Sequence, residues 1–264
     1  MKNNNPRKNP QQATNKKKGQ QPERIQKLLA QAGVGSRRQV EKWILDGSIH
    51  VNGDVAKLGD KITTHDIVKL RGRPVKLAGK LDVNTQVLVY HKPTGEIVSK
   101  KDPEGRPSVF KRLPRLKVGR WIAIGRLDLN TQGLLMFTND GDLANKLMHP
   151  SKQIDREYAV RVMGVVTHDM LERLVNGVEL EDGKARFEDV QESGGEGINR
   201  WFHVVVAEGR NRVVRRLWES QDCKVSRLIR VRYGSVFLPP GLPAGQHQML
   251  DKKEIEALKH LIAD

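Results

Sequence analysis

Short apolar runs with a strand period alternate with stretches of helical period from about residue 87 onward, and this pattern restricts the fold more than any other feature. The strand-like runs are VLVYH, EIVS, WIAIG, GLLMFT, REYAVRV, RWFHVVVAE and SRLIRVRYGSVFL. Helices are predicted after Asp140, from 167 to 176 and from 211 to about 220. Because strands and helices do not follow a strict strand-helix-strand order, the pattern predicts an α+β domain around a mixed, largely antiparallel sheet.

A smaller folded unit is predicted from residue 23 to residue 70. Two amphipathic helices come first, and the second has Ser36 as a candidate N-cap and Gly47 as its stop. Asn52 and Gly53 then separate two alternating stretches, which is the strongest short-range signal for a β-hairpin. The unit is therefore predicted to contain two helices and a small sheet.

Two further stretches lack the periodicity of a folded element. Residues 1 to 22 are rich in Asn, Gln and Lys and hold almost no apolar side chain, so a disordered basic tail is predicted. Residues 71 to 86 gather Gly, Pro and basic residues, which is typical of a linker. The larger domain then spans residues 87 to 264.

The charge balance indicates an anionic partner. Lys and Arg number 47 against 31 Asp and Glu, which gives a net charge of +16. This charge suits the phosphates of RNA or DNA. An anionic membrane surface or a merely solvated face would also fit. No apolar run reaches the 18 residues of a membrane span and no secretory signal is evident, so a cytoplasmic protein is expected. The single cysteine, Cys223, excludes an internal disulfide and is expected to be a small buried residue.

The smaller unit has cations on or beside its predicted helices and hairpin. These residues are Lys27, Arg37, Arg38, Lys42 and Lys57. On local grounds they fit a solvated face as well as a phosphate-binding face. The order of helix, GVGSRR, helix, VNG hairpin and KLGDKI resembles the RNA-binding domain named after the fourth protein of the small ribosomal subunit. The resemblance implies binding of structured RNA by these five cations.

Asp128 is the candidate functional carboxylate of the larger domain. It follows the predicted strand WIAIG and precedes a polar turn that ends at Gly133, so a loop between two strands presents it. Local chemistry alone fits a loop Asp that accepts hydrogen bonds from neighbouring main-chain N–H groups. Asp140 is better explained as the N-cap of the following helix.

Five segments in order resemble the motifs of pseudouridine synthases that modify ribosomal RNA at single sites. They are YHKPTGEIVS, GRLDLNTQGLL, REYAVRV, AEGRNRVVRRLW and VSRLIRVRYGSVFLPPGLP. The resemblance implies that the chain isomerises uridine to pseudouridine, with 23S ribosomal RNA as the favoured substrate. A sister enzyme acting on 16S or transfer RNA, and a non-catalytic ribosome-assembly protein that only binds RNA, remain the alternatives.

The same resemblance assigns a role to each matching residue. Asp128 is the catalytic carboxylate, and Arg126 lies near the position that the extruded base vacates. Tyr158 packs against the target base, and Leu228 lines the floor of the pocket. Arg210 pairs with the catalytic carboxylate.

The resemblance also predicts the cofactors, the RNA-binding residues and the partner. No metal or redox cofactor is required, and Lys92, in YHKP, joins the RNA-binding cations. The expected partner is ribosomal RNA or an assembly intermediate of the large subunit, bound by a monomer without membrane association. Whether Asp128 attacks the anomeric carbon, attacks the uracil ring or removes a ribose proton stays open.

Overall fold

The computed structural model describes residues 21–77 and 84–263. The chain divides into two compact units, Met1–Leu81 and Asp82–Asp264. Residues 1 to 20 of the predicted tail and residues 78 to 83 of the predicted linker lie outside the described residues.

The smaller unit combines two short helices with two small sheets. Its helices are α1 (Ile25–Gln31) and α2 (Arg37–Leu45). Its strands are β1 (Glu23–Arg24), β2 (Ile49–Val51), β3 (Asp54–Val55), β4 (Lys61–Ile62), β5 (Val68–Leu70) and β6 (Arg73–Val75). Strand β1 pairs with β4, and the other four form a sheet in the order β3-β2-β5-β6. Apolar residues of both helices, including Ile25, Leu29 and Val40, pack against buried Ile49 of the sheet.

Two sequence predictions within this unit are confirmed, and one is wrong. The Ser36 side chain accepts a hydrogen bond from the main-chain N–H of Gln39 as the N-cap of α2. Asn52 and Gly53 form the turn of the β2–β3 hairpin, with φ of 53° and 106°. The predicted linker begins too early, because strand β6 occupies residues 73–75 and pairs with β5. Gly72 makes this second hairpin possible, since its φ of 75° is unfavourable for residues with a Cβ.

The larger unit holds the remaining regular elements. Its strands are β7 (Val87–Lys92), β8 (Ile122–Ile124), β9 (Gln132–Thr138), β10 (Arg156–Met163), β11 (Val178–Leu180), β12 (Gly183–Ala185), β13 (Asp189–Glu196), β14 (Asn199–Val206), β15 (Lys224–Tyr233), β16 (Val236–Phe237) and β17 (His247–Met249). Its helices are α3 (Gly141–Met148), α4 (His168–Asn176), α5 (Val213–Glu219) and α6 (Lys252–His260), with 3-10 turns at Val109–Lys111 and Pro150–Lys152.

One mixed sheet dominates this unit, and it confirms the predicted fold class. Within residues 84–263 the central strand order is β13-β14-β10-β15-β9-β7-β17, with β16 beside β15 and β8 beside β9. The β9–β15 pair is parallel, whereas the other pairs of this sheet are antiparallel. The predicted strand EIVS is wrong: this segment contributes one isolated bridge, from Ile97 to Ser108, and no strand.

The core explains why β7 and β9 are almost continuously apolar. On one face, Val87, Val89 and Met136 pack against α3 and α6. On the other face, Leu88 and Tyr90 pack against residues of the long segment between β7 and β8. Helices α4 and α5 cover the β10–β14–β15 part of the sheet. Both faces of the two strands are therefore buried, and apolar residues are favoured at every position.

The helix boundaries show what the sequence signals could and could not reveal. Asp140 caps α3 by accepting hydrogen bonds from the N–H groups of Asp142 and Leu143, as predicted. Helix α6 was not predicted, although Asp251 and Glu254 form a complete capping box at its start. Cys223 is buried, as expected for a small apolar residue. The longest helices of the described residues have nine residues, and none could cross a membrane.

Candidate active site

The loop that presents Asp128 is short and joins two antiparallel strands. Strand β8 ends at Ile124, Gly125 turns the chain with φ of 81°, and β9 begins at Gln132. Within the loop, the N–H of Thr131 donates to the main-chain oxygen of Asp128 at 3.0 Å. The neighbouring Leu127 is buried, whereas Asp128 is only partly buried. The apolar neighbour anchors the loop in the core and leaves the carboxylate accessible.

A buried ammonium group holds the inner side of this loop. Lys92 is fully buried, and its Nζ donates to the main-chain oxygens of Pro93 at 2.9 Å, Asp128 at 3.0 Å and Thr131 at 2.9 Å. Burial lowers the pKa of Lys92 from 10.5 to about 8, against the opposing effect of the carboxylates of Glu96 and Asp128. The prediction that Lys92 binds RNA is therefore wrong, because a phosphate cannot reach this group.

A buried carboxylate lies near Lys92. Glu96 is buried, and its Oε2 accepts from Tyr90 Oη at 2.6 Å while its Oε1 accepts from Arg112 Nε at 3.3 Å. Burial, followed by the hydrogen bond and charge of Glu96, raises the pKa of Tyr90 well above its usual range. These hydrogen bonds pair the buried Tyr90 hydroxyl with the Glu96 carboxylate and tie β7 to the segment that covers it.

The opposite wall comes from strands β10 and β15. Tyr158 pairs with Arg230, and Val160 pairs with Leu228, in the antiparallel register of these strands. Strand β15 lies parallel to β9, with Arg230 beside Gly133. A Cβ at Gly133 would stand 2.3 Å from the main-chain oxygen of Arg230, and Gly133 has φ of 105°. Only glycine permits this close approach, which brings the strand after Asp128 against the strand that carries Leu228.

These walls enclose a cavity of about 1220 Å³ in the larger unit, named here the Asp128 cavity. The five residues that sequence analysis assigned to catalysis and substrate binding all line it, although they come from four separate segments. They are Arg126, Asp128, Tyr158, Arg210 and Leu228. Seven Lys or Arg side chains line the cavity against three Asp or Glu, so its charge suits an RNA backbone.

Arg210 lines the cavity but does not pair with Asp128. Its Nε donates to Glu208 at 2.7 Å and its Nη1 to Asp182 Oδ1 at 3.0 Å. The remaining hydrogen bonds of its guanidinium go to Glu208 and to the main-chain oxygens of 182, 183 and 184. The expected contact with the catalytic carboxylate is therefore absent from the structure. Arg210 instead fixes the β11–β12 hairpin against the segment that leads into α5.

The buried guanidinium of Arg215 also holds the Asp128 loop. It is buried on α5, and its Nη1 and Nη2 donate at 3.0 Å to the main-chain oxygens of Val225 and Asn130, two residues beyond Asp128. Burial and nearby Arg212 lower the pKa of Arg215, while Asp128 raises it. Sequence reasoning missed this residue because GRNRVVRR offers several arginines. Arg215 lies three residues before Trp218 and therefore on the same helix face, and this spacing could have indicated that Arg215 is buried.

Two further buried groups at the cavity wall were not predicted. Arg230 is 2% exposed, its Nε donates to the main-chain oxygen of Leu134 at 2.8 Å, and its guanidinium lies 5.3 Å from the centre of the Tyr233 ring. Among the described residues, its Nη2 and the Oγ1 of Thr131 are buried without a hydrogen-bond partner. Both side chains line the Asp128 cavity, so a substrate could satisfy them.

The predicted RNA-binding cations of the smaller unit lie where a phosphate can reach most of them. Arg37 and Arg38 are exposed in the first turn of α2, and Lys42 is exposed later in the same helix. Lys57 is exposed just beyond the hairpin, whereas Lys27 is partly buried and pairs with Glu23 at 2.8 Å.

Comparison with known proteins decides the family. The model of the RNA pseudouridylate synthase family matches residues 86–226, which include Arg126, Asp128, Tyr158 and Arg210 of the cavity. The chain belongs to the RNA pseudouridylate synthase family. Residues 23–68 match the S4 domain, which the smaller unit was predicted to resemble.

Curated relatives share this arrangement over most of the chain. The chain is 57% identical over 237 residues to "Ribosomal large subunit pseudouridine synthase B" of Pseudomonas aeruginosa, covering 89% of this chain and 61% of the relative. It is 54% identical over 241 residues to the protein of the same name from Vibrio vulnificus, covering 91% of this chain and 75% of that one. The chain therefore spans less than two thirds of the Pseudomonas relative's length.

A solved structure supports the fold. "Crystal structure of pseudouridylate synthase" aligns with 89% of this chain and 99% of its own at a TM-score of 0.63 and 23% identity. At this identity the likeness shows the fold alone.

Proposed function

We propose that this chain isomerises a uridine of 23S ribosomal RNA to pseudouridine, with Asp128 as the catalytic carboxylate. The observation that carries the proposal is the meeting of Arg126, Asp128, Tyr158 and Leu228 in one positively charged cavity. The shared name of the relatives, which refers to the large ribosomal subunit, favours 23S over 16S or transfer RNA.

The roles follow from where each side chain lies. Tyr158 offers an aromatic face to a flipped uracil, Leu228 offers an apolar floor, and Arg126 is exposed at the rim, where it can occupy the place of the extruded base. Arg215 donates to the main-chain oxygen of Asn130 and so positions the loop that carries Asp128, whereas Arg210 holds the β11–β12 hairpin. Lys92 is a positioning residue that holds the main chain of the Asp128 loop.

The reaction is an isomerisation, so its atoms balance without a cofactor. The bond between N1 of uracil and C1′ of ribose breaks, the base turns, and a bond between C5 and C1′ forms. The proton on C5 leaves, and N1 gains a proton. A cavity that confines the freed uracil between Tyr158 and Leu228 would prevent its escape during this turn.

The domain organisation completes the proposal. A basic tail over residues 1 to 22 and an RNA-docking domain from residue 23 accompany a catalytic domain that extends to residue 264. The exposed cations of α2 would hold structured RNA while the catalytic domain acts on it. The synthase would work as a cytoplasmic monomer on ribosomal RNA or on an assembly intermediate of the large subunit.

Mapping of pseudouridines in cells that lack the protein tests this proposal. Carbodiimide treatment followed by primer extension should show the loss of one stop in 23S RNA, and expression of the wild-type chain should restore it. Loss of a stop in 16S or transfer RNA instead would favour a sister enzyme. An unchanged set of stops in all three RNAs would favour a protein that binds RNA without modifying it.

A further inference from the structure

A second cavity of about 280 Å³ lies in the segment between β7 and β8, and none of the roles above uses it. Phe110, Leu113 and Leu116 supply apolar lining, and Lys100, Arg115 and Arg120 supply charge. We name it the Phe110 pocket; its other lining residues are Pro114, Gly119 and Trp121. An aromatic floor beneath a basic rim is the combination that binds single nucleotides, because the base can stack while the phosphate meets cations.

The walls of the Phe110 pocket are fixed by contacts within the larger unit. The Phe110 ring packs edge-on against the buried ring of Phe137, with 5.4 Å between ring centres. The indole N–H of buried Trp121 donates to the main-chain oxygen of Pro114 at 2.7 Å, which closes the loop that carries Arg115 and Leu116. Ser108, just before Phe110, is buried and donates to the main-chain oxygen of Ser99. The pocket is therefore formed before any ligand binds.

The charge of the pocket is unbalanced. Three of its nine lining residues are cations and none is acidic. Lys100 Nζ lies 5.3 Å from the centre of the Phe110 ring, so a cation stands directly over the aromatic floor. Burial and the nearby charge of Arg120 lower the pKa of Lys100. An anion at this rim would relieve the repulsion between the two cations.

The position of the pocket relates it to the target uridine. On the segment after β7, Val98 lines the Asp128 cavity and Lys100 lines the Phe110 pocket. At the start of β8, Ala123 lines the Asp128 cavity and Trp121 lines the Phe110 pocket. On both segments a lining residue of one cavity is two positions from a lining residue of the other, so the nearest edges of the two cavities are separated by at most about 7 Å of extended chain. A step of that size matches the reach from one nucleotide to the next.

We propose that the Phe110 pocket binds a nucleotide adjacent to the target uridine. Lys100 turns away from the face of Phe110 to meet the phosphate beside Arg115, and the base stacks on the ring face that Lys100 leaves and contacts Leu116. The inference rests on the proposed function, because it takes an RNA with a uridine in the Asp128 cavity as the ligand. It adds a specificity site that reads a neighbour of the modified nucleotide.

Two sets of variants test the two halves of the pocket. Phe110→Leu keeps an apolar side chain against Phe137 but removes the stacking face, and Phe237→Leu makes the same change at an exposed position of β16. Lys100→Gln with Arg115→Gln removes two cations of the rim. Lys111→Gln with Lys117→Gln removes the same charge from exposed positions of the same segment outside the pocket. Thermal unfolding of each variant shows whether the fold is retained.

The experiment measures the dissociation constant of a 23S stem-loop for each protein, with intact RNA and with RNA that is abasic at either neighbour of the target uridine. We expect one abasic position to weaken wild-type binding about tenfold, and Phe110→Leu to weaken binding of intact RNA by a similar factor. The two losses should not add, because they remove the same contact. The rim variant should reduce the slope of log K against the logarithm of the salt concentration by roughly 0.7 for each lost phosphate contact. Its control should change this slope less.

The inference is overturned if both pocket variants bind intact RNA like their controls. It is also overturned if, at each neighbour of the target uridine, the loss of binding free energy from Phe110→Leu adds fully to the loss from the abasic nucleotide. Pseudouridine formation by the wild type, measured on the same intact RNA, tests the proposed function separately. A wild type that forms pseudouridine while the pocket variants match their controls refutes the pocket alone. A wild type that forms no pseudouridine refutes the proposed function, and the binding measurements still test whether the pocket binds a nucleotide.

Discussion

Lys92 and Asp128 are joined by a hydrogen bond of 3.0 Å from the buried ammonium group to the main-chain oxygen of the proposed catalytic residue. The same Nζ donates to Thr131 at the end of the loop. A charge at the end of β7 thus fixes the main chain of a loop 36 residues further along. The carboxylate remains outside this contact and accessible from the cavity.

Replacement of this lysine should slow the chemical step more than it weakens RNA binding. In Lys92→Met the Asp128 loop loses its central donor, and we expect kcat to fall about 10- to 100-fold with little change in KM, as for other small misplacements of reacting groups. Lys101→Met, at an exposed position, is the control. Single-turnover rates on a 23S stem-loop give the comparison, and a Lys92→Met enzyme as fast as this control would refute a positioning role.

The lowered pKa of Lys92 predicts how stability depends on pH. The folded chain releases this proton near pH 8, whereas the unfolded chain keeps it to about 10.5, so the unfolded state binds more protons between these values. Relative to Lys92→Met, the free energy of unfolding of the wild type should rise over this window by up to about 3 kcal/mol. Below pH 8 both states are protonated and the cost of burial is fully present. Urea denaturation from pH 7 to 10 measures the difference, and a constant difference would contradict the burial of a titrating lysine.

The two arginines near the start of α5 should differ in their effects. Arg215 donates to the main-chain oxygens of Val225 and Asn130 and so holds the Asp128 loop, and Arg215→Lys keeps the charge but loses this pair of hydrogen bonds; we expect kcat to fall about 100-fold. Arg210→Lys disturbs a wall of the cavity and should cost less than about tenfold. Steady-state kinetics of both variants, with thermal unfolding to establish their folding, make the test. A larger loss in Arg210→Lys would restore Arg210 as the partner of the carboxylate.

Gly133 should tolerate no side chain. In Gly133→Ala the added Cβ would stand 2.3 Å from the main-chain oxygen of Arg230, and we expect a loss of stability of about 3 kcal/mol or more together with loss of activity. Gly183→Ala has a similar φ of 100° but no atom within 4 Å, so it isolates the cost of the backbone conformation, about 1 kcal/mol. Urea denaturation of both variants decides the matter. Equal losses would show that the approach of β9 and β15 is not restrictive.

Local signals in the sequence were sufficient for much of the fold. The Asn52-Gly53 hairpin and the Asp140 cap act through neighbouring residues, and both are confirmed. The capping box of Asp251 and Glu254 was equally local, and α6 could have been predicted from it. EIVS was wrong because apolar residues alone do not supply a partner strand. Within the described residues its Ile97 forms one isolated bridge, with Ser108.

The site was harder to predict, because its decisive contacts join distant segments. Lys92 looks like any basic residue beside a turn, and only its burial against the Asp128 loop excludes it from RNA binding. The choice between Arg210 and Arg215 depends on the β11–β12 hairpin, which attracts Arg210 and which sequence patterns did not reveal. The roles of Asp128, Tyr158 and Leu228 stay predictions that rest on family resemblance and on their shared cavity.

Tritium release from RNA that carries 5-tritiated uridine tests the central claim most directly, because the proposed reaction expels the C5 proton. Asp128→Asn preserves the size of the side chain and removes its charge, and Asp189→Asn makes the same change at an exposed position of β13 outside the cavity. We expect Asp128→Asn to bind the 23S stem-loop with wild-type affinity and to release no tritium above the enzyme-free background, while Asp189→Asn releases it at the wild-type rate. Release by Asp128→Asn at the wild-type rate would contradict the assignment of Asp128 as the catalytic carboxylate.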